Sequence, residues 1–491
     1  LSADLAMSEH APIAVDSNRL FPIEPRARDL ARSLHAQVAD SPIISPHGHT
    51  DPAWFAENAH FSDPLSLLVL PDHYLLRMLY SRGVDLQSVG LVAKGAAPAV
   101  TPREGWRCFA KHYYLFQGTP SKLWLDSTFQ QVFGLDYALN ESTADQYFDH
   151  ISSLLAQSSF KPRALLDRFN IQFIATTEHA LDSLHHHEQL TKEGLSGRIT
   201  TTFRPDDVLD PYAAGFSDNV EQLGVLTGEG VATYNDYLQA LRRRRSDFKA
   251  LGATASDHGP ASPLTTQLTA QVASQLFDKC RKGTASEAEK AQFRGHMLIE
   301  MAFMSLDDGL VMQIHPGALR NHNRGFYEAY GADKGGDIPQ RVDYCHALQP
   351  LLNAVGNEPD LELIVFTLDE STYARELAPL AGHYPALRLG PPWWFHDSPE
   401  GMLRFRRSTT ETAGFYNTAG FNDDTRAFFS IPARHDMARR IDARFLAEWV
   451  LEGRITEREA RSLIHLLTTE LATEAYRLNK PAHSHLARAV G

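Results

Sequence analysis

Short apolar runs with strand character alternate with helical stretches along most of the chain, and this alternation restricts the fold more than any other feature. The runs lie at residues 42–49, 171–177, 198–204, 253–259, 310–315, 361–368, 387–394 and 420–424. Eight such units predict an α/β protein, a distorted (β/α)8 or TIM barrel. A doubly wound open sheet is the alternative, but no glycine-rich turn follows the first strand.

A long stretch without strand patterning separates the first two predicted strands. Between residues 53 and 168, apolar side chains recur at helical intervals and aromatic side chains are dense. We expect a mostly helical insertion after strand 1, with a small core of its own. The expected organisation is an arm, helix and strand 1 in residues 1–52, the insertion in residues 53–168, and the rest of the barrel with C-terminal helices in residues 169–491. Residues 1–22 are polar and mixed, and we expect a loose arm there.

Charge, apolar runs and cysteines restrict the setting in which the chain works. Its net charge of −13 argues against nucleic acid or an anionic membrane as a partner, because both attract clustered lysine and arginine. No apolar run approaches the roughly 18–20 residues that span a bilayer, and residues 1–12 lack the pattern of a signal peptide. Cys108, Cys280 and Cys345 are few and far apart, which favours a reducing compartment. We therefore expect a cytoplasmic protein.

The sequence Ser45-Pro46-His47-Gly48-His49 follows the first predicted strand. Because alternate strand residues share a face, His47 and His49 would point the same way. Two imidazoles on one face can bind a divalent metal ion. The alternative is a pair of hydrogen-bonded loop histidines.

A metal held by two imidazoles needs at least one further ligand, commonly a carboxylate. Asp424 is the best candidate, because strand 8 lies next to strand 1 in a closed barrel, and Asp257 is the second. The alternative for Asp424 is a helix cap. The triplet His185-His186-His187 follows a helix-like run and is expected to be solvated surface.

Other polar residues also follow predicted strands and would meet at the mouth of a barrel, where active sites of this fold lie. Arg204 and Arg320 suit a substrate carboxylate, since the planar guanidinium matches it, or they are ion-paired to carboxylates in the mouth. His315 is either a structural histidine or a member of the site. Trp393 ends the seventh strand.

Several motifs occur in a fixed order along the chain. They are His47-Gly48-His49, Asp72-His73-Tyr74, Arg204-Pro205-Asp206, Ser256-Asp257-His258-Gly259, Met312 to Asn321, Trp393-Trp394-Phe395, and Asp424 with Arg426. Together they resemble the uronate isomerase (glucuronate/galacturonate isomerase) family of the amidohydrolase superfamily, from about residue 40 to 480. One motif departs from the family pattern: the usual Thr-Thr-Asp-Asp of strand 2 is Thr176-Thr177-Glu178-His179.

The resemblance implies an aldose–ketose isomerase of hexuronate catabolism. The family interconverts D-glucuronate with D-fructuronate, and D-galacturonate with D-tagaturonate, by proton transfer from C2 to C1 through an enediol. The implied catalytic residues are Asp424, Arg426, Tyr74 and His73, with either Asp424 or Tyr74 as the base at C2. The insertion, which carries His73 and Tyr74, would cap the mouth. Implied substrate-binding residues are Arg204, Asp257, His315, Arg320 and Trp393.

The implied cofactor is one divalent metal ion on His47, His49 and Asp424. Zn²⁺ is expected, Mn²⁺ and Fe²⁺ also suit these ligands, and no organic cofactor is expected. A homo-oligomer is expected, with the aromatic-rich insertion as an interface. A metal-dependent hydrolase or decarboxylase is the alternative function, although strand 4 ends in Ser256-Asp257-His258 and lacks the bridging lysine of dinuclear hydrolases. A silent sugar-acid binder would have lost His47, His49 or Asp424.

Overall fold

A computed structural model describes residues 12–13 and 15–479. Its strands are β1 Ile43–Ser45, β2 Ile171–His179, β3 Ile199–Arg204, β4 Ala255–His258, β5 Val311–Ile314, β6 Ala318–Leu319, β7 Ile338–Pro339, β8 Leu363–Val365 and β9 Leu387–Leu389. Seven of them form one curled parallel sheet in the order β1-β2-β3-β4-β5-β8-β9, and β6 and β7 form a small antiparallel hairpin. The sheet follows seven of the eight predicted runs.

Helices surround the sheet and fill the connections. They are α1 Pro25–Val38, α2 Pro52–Glu57, α3 Pro64–Leu68, α4 His73–Ser81, α5 Pro102–Lys111, α6 Pro120–Gln131, α7 Ala144–Leu155, α8 Pro162–Arg168, α9 His185–Lys192, α10 Asp206–Leu209, α11 Phe216–Thr227, α12 Tyr234–Ala250, α13 Ala270–Arg281, α14 Glu287–Asp308, α15 Arg324–Tyr330, α16 Tyr344–Val355, α17 Ala378–Ala381, α18 Pro399–Ala413, α19 Ile431–Leu451, α20 Glu457–His465 and α21 Leu471–Ala475. Single turns of 3₁₀ helix lie at Tyr113–Phe116, Ser158–Phe160 and Phe428–Ser430, and π turns at Tyr373–Leu377 and Leu466–Glu470. Within the described part of the chain, no helix is both long and apolar enough to cross a membrane.

The eighth predicted strand, residues 420–424, is wrong as a strand. Gly420 has φ +75° and Asp424 has φ +39°, and neither angle fits an extended chain. The chain just before residue 420 instead meets the sheet at one point, a parallel bridge between Thr418 and Leu389, and we call residues 418–425 the eighth segment. On the other side, the His49 amide donates to the Thr425 carbonyl at 3.0 Å. Backbone contacts therefore link this segment to both β9 and the residues after β1.

The α2–α8 region lies between β1 and β2 and has an aromatic core. Trp106, Phe109 and Phe129 are fully buried there, whereas Tyr114 is 59% exposed. Phe429, which follows the eighth segment, stacks on Phe133 of this region with ring centroids 5.3 Å apart. Most of the aromatic residues that suggested an interface are therefore buried in the core of this region.

The described part of the N-terminal arm is packed rather than loose. Phe21 is 7% exposed and Arg19 is paired with Asp436 of α19 at 2.5 Å. The expectation of a loose arm is wrong for these residues, because a buried apolar ring and a partly buried ion pair attach them to the helix. Residues 1–11 and 14 of that arm lie outside the described residues, as do residues 480–491 of the C-terminal part.

The chain after α20 fills the centre of the curled sheet. Ala472 of α21 packs with Ile44, Phe173 and Ala175 of β1 and β2. Tyr476 lies fully buried in a second cluster with residues of β4, β5 and β8. A curled sheet needs side chains inside it, and here part of that filling comes from the C-terminal segment.

Replacing Gly420 by Ala should destabilise the protein by about 2 kcal/mol or more. The residue has φ +75°, and a Cβ there would lie 2.7 Å from the Ala472 backbone nitrogen. Gly228→Ala is the matched control, because Gly228 has φ +71° in the ordinary left-handed region but open space around the Cβ position. That variant should lose only about 1 kcal/mol, from backbone strain alone. Urea unfolding measures both, and equal losses would contradict close packing of α21 against the eighth segment.

Candidate functional site

A pocket of about 470 Å³ opens at the carboxyl ends of the strands. Ten of the eleven predicted site residues line it: His47, His49, His73, Tyr74, Arg204, His315, Arg320, Trp393, Asp424 and Arg426. The eleventh, Asp257, is fully buried behind the pocket wall. These residues come from the ends of separate strands and from α4, so the fold alone brings them together.

His47 and His49 converge on one oxygen of Asp424. The His47 Nε2 atom lies 3.5 Å from Asp424 Oδ1, and the His49 Nε2 atom lies 3.2 Å from it. Pro46 has no N–H to extend the ladder of β1, and the chain leaves the sheet there with both imidazoles directed into the pocket. Asp424 meets them from the eighth segment, and its positive φ aims the carboxylate.

The electrostatics of this cluster keep the carboxylate ionised and the buried imidazole neutral. Burial alone would raise the pKa of Asp424, but His47 and His49 outweigh it and hold that pKa well below its usual range. Burial lowers the pKa of His47 to about 4. Neutral imidazole and ionised carboxylate are the forms that bind a metal ion.

The three side chains fit a metal ion. Their ligand atoms all lie within 4.8 Å of one another. Atoms bound to Zn²⁺ at tetrahedral angles lie roughly 3.3–3.6 Å apart, and the two nitrogen–oxygen distances here are 3.5 and 3.2 Å. Two imidazoles and one carboxylate also match the ligands of catalytic zinc sites, which keep a further position open.

A buried chain of polar groups supports His47 from beneath. The Gln313 side-chain amide of β5 lies 3.4 Å from His47 Nδ1. Tyr476 donates its hydroxyl proton to Gln313 Oε1 at 2.7 Å and accepts a hydrogen bond from Asn422 at 3.2 Å. This contact places an amide group against the His47 nitrogen that is not directed at Asp424, and it helps to fix the orientation of the ring. The sequence did not indicate Tyr476, because it lies outside every motif.

His315 stands beside His47 and is held by Asp257. Its ring stacks on His47 with centroids 4.7 Å apart, and its Nδ1 lies 2.6 Å from Asp257 Oδ1. The other nitrogen, Nε2, is buried and has no hydrogen-bond partner among the described residues. His47, Asp257 and His315 form a second group with metal-ligand spacing, but Asp257 already bonds Arg204 and His315. Arg204 and His315 outweigh burial and keep the pKa of Asp257 low.

Each predicted arginine already has a carboxylate partner. Arg204 bonds Asp257 at 2.9 Å and Asp206 at 3.0 Å. Arg320 bonds Asp337 at 2.8 Å. In the substrate-free pocket, the arginines are therefore ion-paired to carboxylates of the protein, as the second alternative of the sequence analysis expected.

One aspartate serves two of the arginines. Asp333 bonds Arg426 at 3.0 Å and lies 3.7 Å from Arg320. The sequence analysis missed Asp333 and Asp337, because they lie in a glycine-rich stretch that resembles an ordinary loop.

Tyr74 is fixed by groups that the sequence analysis also missed. Its hydroxyl donates to Asp397 at 2.6 Å and accepts from the Phe395 amide at 2.6 Å. Arg434 of α19 bonds the other Asp397 oxygen at 2.7 Å. Burial and Asp397 raise the pKa of Tyr74 well above its ordinary value, so the phenol stays protonated. Only the nearness of Asp397 to the Trp-Trp-Phe motif hinted at its position.

His73 and Trp393 form the aromatic wall of the pocket. Burial, and then the charge of Arg426, lowers the pKa of His73 to about 3, so its imidazole is neutral. Trp393 donates its indole N–H to the Thr367 carbonyl at 3.0 Å and places its ring edge-on to His315 at 4.6 Å. Trp394 packs edge-on to His73 at 5.0 Å.

The altered strand 2 motif divides between two faces. Thr177 and His179 line the pocket, and the Thr177 hydroxyl donates to the Gly48 carbonyl at 2.9 Å. Glu178 points the other way, where it accepts a hydrogen bond from Thr201 and lies 3.7 Å from His187. His187 is buried, so the expectation of a wholly solvated histidine triplet is wrong: α9 turns its third histidine towards the sheet.

Comparison with known proteins gives one consistent result. The sequence model of the glucuronate isomerase family matches residues 25–474. A uronate isomerase from Rhizorhabdus wittichii is 58% identical over 95% of this chain and 99% of its own length. The crystal structure of glucuronate isomerase from Caulobacter crescentus superposes with a TM-score of 0.94 at 54% identity, covering 96% of this chain and 98% of that one. A uronate isomerase structure from Thermotoga maritima gives a TM-score of 0.87 at 27% identity, covering 94% and 99%.

Replacing Glu178 by Gln should remove a pH-dependent loss of stability. Burial raises the pKa of Glu178 from 4.5 to about 8 in the folded protein. The folded state then binds one proton more than the unfolded state between these values, so the free energy of unfolding falls as pH rises, by up to about 1.4 kcal/mol per pH unit. The variant should gain stability relative to wild type over this range. Urea unfolding at several pH values tests this.

Glu188→Gln, on the exposed side of α9, is the control for this measurement. Its stability should follow that of the wild type at every pH. A constant difference between Glu178→Gln and wild type across the range would show that Glu178 is ionised in the folded protein.

Proposed function

The chain belongs to the glucuronate isomerase family, and from this premise we propose that it interconverts D-glucuronate with D-fructuronate, and D-galacturonate with D-tagaturonate, at the pocket described above. The chain is a uronate isomerase by its similarity to curated relatives over almost its whole length. The observation that carries the assignment to this pocket is the cluster of Asp424 with His47 and His49 in one cavity with Arg320 and Arg426. A uronate has a carbonyl at one end and a carboxylate at the other, and the pocket offers a partner for each.

We assign the proton transfer to Asp424. Its Oδ1 faces the two imidazoles, at 3.5 and 3.2 Å from their Nε2 atoms. In the open-chain sugar, the carboxylate removes the proton from C2, and the electron pair forms the C1–C2 double bond of the enediol. The same carboxyl group then returns the proton to C1, while the proton of the C2 hydroxyl moves to O1. Ionised Asp424 is the form this step needs.

Tyr74 is better suited to positioning its neighbours than to acting as the base at C2. Its hydroxyl proton is engaged by Asp397 and its pKa is raised, so a phenolate is disfavoured. His73 is neutral and can pass a proton between sugar oxygens, because one ring nitrogen accepts while the other donates. His315 Nε2 is free to accept from a sugar hydroxyl.

Arg320 and Arg426 are assigned to the substrate carboxylate. They share Asp333 as a partner, which places their guanidinium groups close together. Arg204 is bound on two sides and, with Asp257, supports the wall that holds His315. Trp393 supplies an apolar face for the sugar.

A divalent metal ion would be held by His47, His49 and Asp424. We propose Zn²⁺, with Mn²⁺ and Fe²⁺ as alternatives that the ligands also suit. When bound, the ion supplies a positive charge that orients the oxygens of the sugar. A metal-dependent hydrolase, the alternative function, is not favoured by the comparisons.

The finer features of organisation are also proposals. We propose that the eighth segment closes the sheet into a distorted (β/α)8 barrel, which the Thr418 bridge and the His49–Thr425 hydrogen bond support. The divisions 1–52, 53–168 and 169–491, a cytoplasmic location and a homo-oligomer complete the proposal. The scattered free cysteines support a reducing compartment. Light scattering would test the oligomeric state.

Purified protein incubated with D-glucuronate should form a ketose, and D-galacturonate should react likewise. Ketose formation is followed colorimetrically, with metal supplied in the buffer. Absence of turnover with both uronates in the presence of Zn²⁺, Mn²⁺ or Fe²⁺ would refute the proposed function.

Replacing Asp424 by Asn should lower kcat by about 10²-fold or more, because an amide cannot accept the C2 proton. Exchange of the C2 hydrogen for deuterium, measured by NMR in D₂O, should be lost in parallel. Asp149→Asn, which alters an exposed ion pair with Arg103 on α5, is the control and should leave kcat unchanged. A wild-type exchange rate in Asp424→Asn would remove Asp424 from the role of base.

A further inference from the structure

The chain between β5 and α16 crosses the pocket and leans on the α2–α8 region. The Lys94 amide donates to the Ala329 carbonyl at 2.8 Å, and Phe326 of α15 packs edge-on to Tyr80 of α4 at 4.7 Å. Gly335 passes so close to α4 that a Cβ there would lie 2.7 Å from the His73 carbonyl oxygen. This crossing segment is therefore attached to the α2–α8 region at three points.

Two aspartates of the crossing segment bind the arginines in different ways. Asp337 is only 3% exposed, and it also accepts the Asn321 amide at 2.6 Å, which fixes its position. The side chain of Asp333 is 42% exposed and binds only through guanidinium groups, Arg426 at 3.0 Å and Arg320 at 3.7 Å. Asp337 is therefore buried in the wall of the pocket, whereas Asp333 lies at the surface of the pocket.

The backbone around Asp333 allows this side chain to leave. Gly331 and Gly336 lie on either side of it and are less closely packed than Gly335, and glycine moves between backbone conformations at low cost. Asp333 itself has φ +60°, a left-handed conformation that aspartate tolerates better than most residues. The segment can therefore shift at Asp333 while Asp337 keeps its contacts.

We propose that Asp333 occupies the carboxylate subsite of the substrate-free enzyme: it lies at the position between Arg320 and Arg426 that the substrate carboxylate takes. This rests on the proposed function, in which those arginines hold that carboxylate. Exchange of one carboxylate for another keeps the arginines neutralised. A neutral polyol has no charge for this exchange, and it binds while Asp333 stays paired with the arginines. Asp333 therefore competes with the carboxylate of a uronate and leaves the binding of neutral polyols almost unchanged.

Binding of L-gulonate tests the proposal without turnover. This compound is D-glucuronate with its aldehyde reduced, so it keeps the carboxylate but has no carbonyl to isomerise. Asp333→Asn should bind it about threefold to tenfold more tightly than wild type, since the competing charge is gone and exposed ion pairs are worth little more than this. Asparagine also accepts a positive φ, so the backbone is kept. Isothermal titration calorimetry measures the affinities.

D-Glucitol, the neutral counterpart of L-gulonate, separates charge competition from steric relief. Its affinity should change less than twofold in Asp333→Asn. An equal gain for both compounds would overturn the proposal, because a smaller obstruction would then explain it. Unchanged or weaker L-gulonate binding would also overturn it, because Asp333 would then not compete for the arginines.

Two further variants serve as a substitute for Asp333→Asn and as a control. Asp333→Gly suits the positive φ and should give the same gain if the Asn variant folds poorly. Asp145→Asn, which alters a comparably exposed aspartate paired with Arg103 and Arg107, should bind like wild type. Failure of wild-type turnover with D-glucuronate would refute the proposed function, whereas normal turnover without a change in L-gulonate affinity would refute this inference alone.

Discussion

The contact of one Asp424 oxygen with both His47 and His49 joins the first strand of the sheet to the segment that follows the last strand. No regular ladder of the described residues makes this junction. The carboxylate reaches the imidazoles because Asp424 departs from extended geometry, and strained residues of this kind occur where a site requires them. Tyr476, through Gln313, supports His47 from the interior. The side chains of His47, His49 and Asp424 therefore both form the candidate metal site and join the first strand to the segment after the last strand.

Pairing of charges explains the rest of the pocket. A guanidinium group that is partly removed from water is stabilised by a counter-charge, and Arg204, Arg320 and Arg426 each have one. The pairs differ in strength of attachment: Arg204 lies between two aspartates, whereas Arg426 relies on Asp333 alone among the ion pairs of the described residues. A site built in this way can accept an anion only where a pair can be exchanged, which is at Arg426 and Arg320.

Patterns of neighbouring residues in the sequence predicted the features that depend on neighbouring residues. Seven strands followed from apolar runs, and His47 and His49 followed from a spacing that strand geometry turns into a shared face. Asp424 was reached by topology, since the last strand of a closed sheet meets the first. Asp397 was not predicted, because its partner Tyr74 is 323 residues away and no motif marks such a contact. Arg434 was not predicted either, because it enters the site only through its bond to Asp397. The eighth strand failed as a prediction because positive φ angles at Gly420 and Asp424 cannot be deduced from an apolar run.

The position of Tyr74 narrows the choice of base that the sequence left open. Its phenol lies between Asp397 and the Phe395 amide. A carboxylate that accepts a hydrogen bond from the phenol makes ionisation of the phenol harder. The same contacts attach α4 to the residues after β9, which brings His73 over the pocket. We therefore propose that Tyr74 holds the cap in place and helps to exclude water. Asp424, ionised by its two histidine neighbours, is left as the group that can take a proton from carbon.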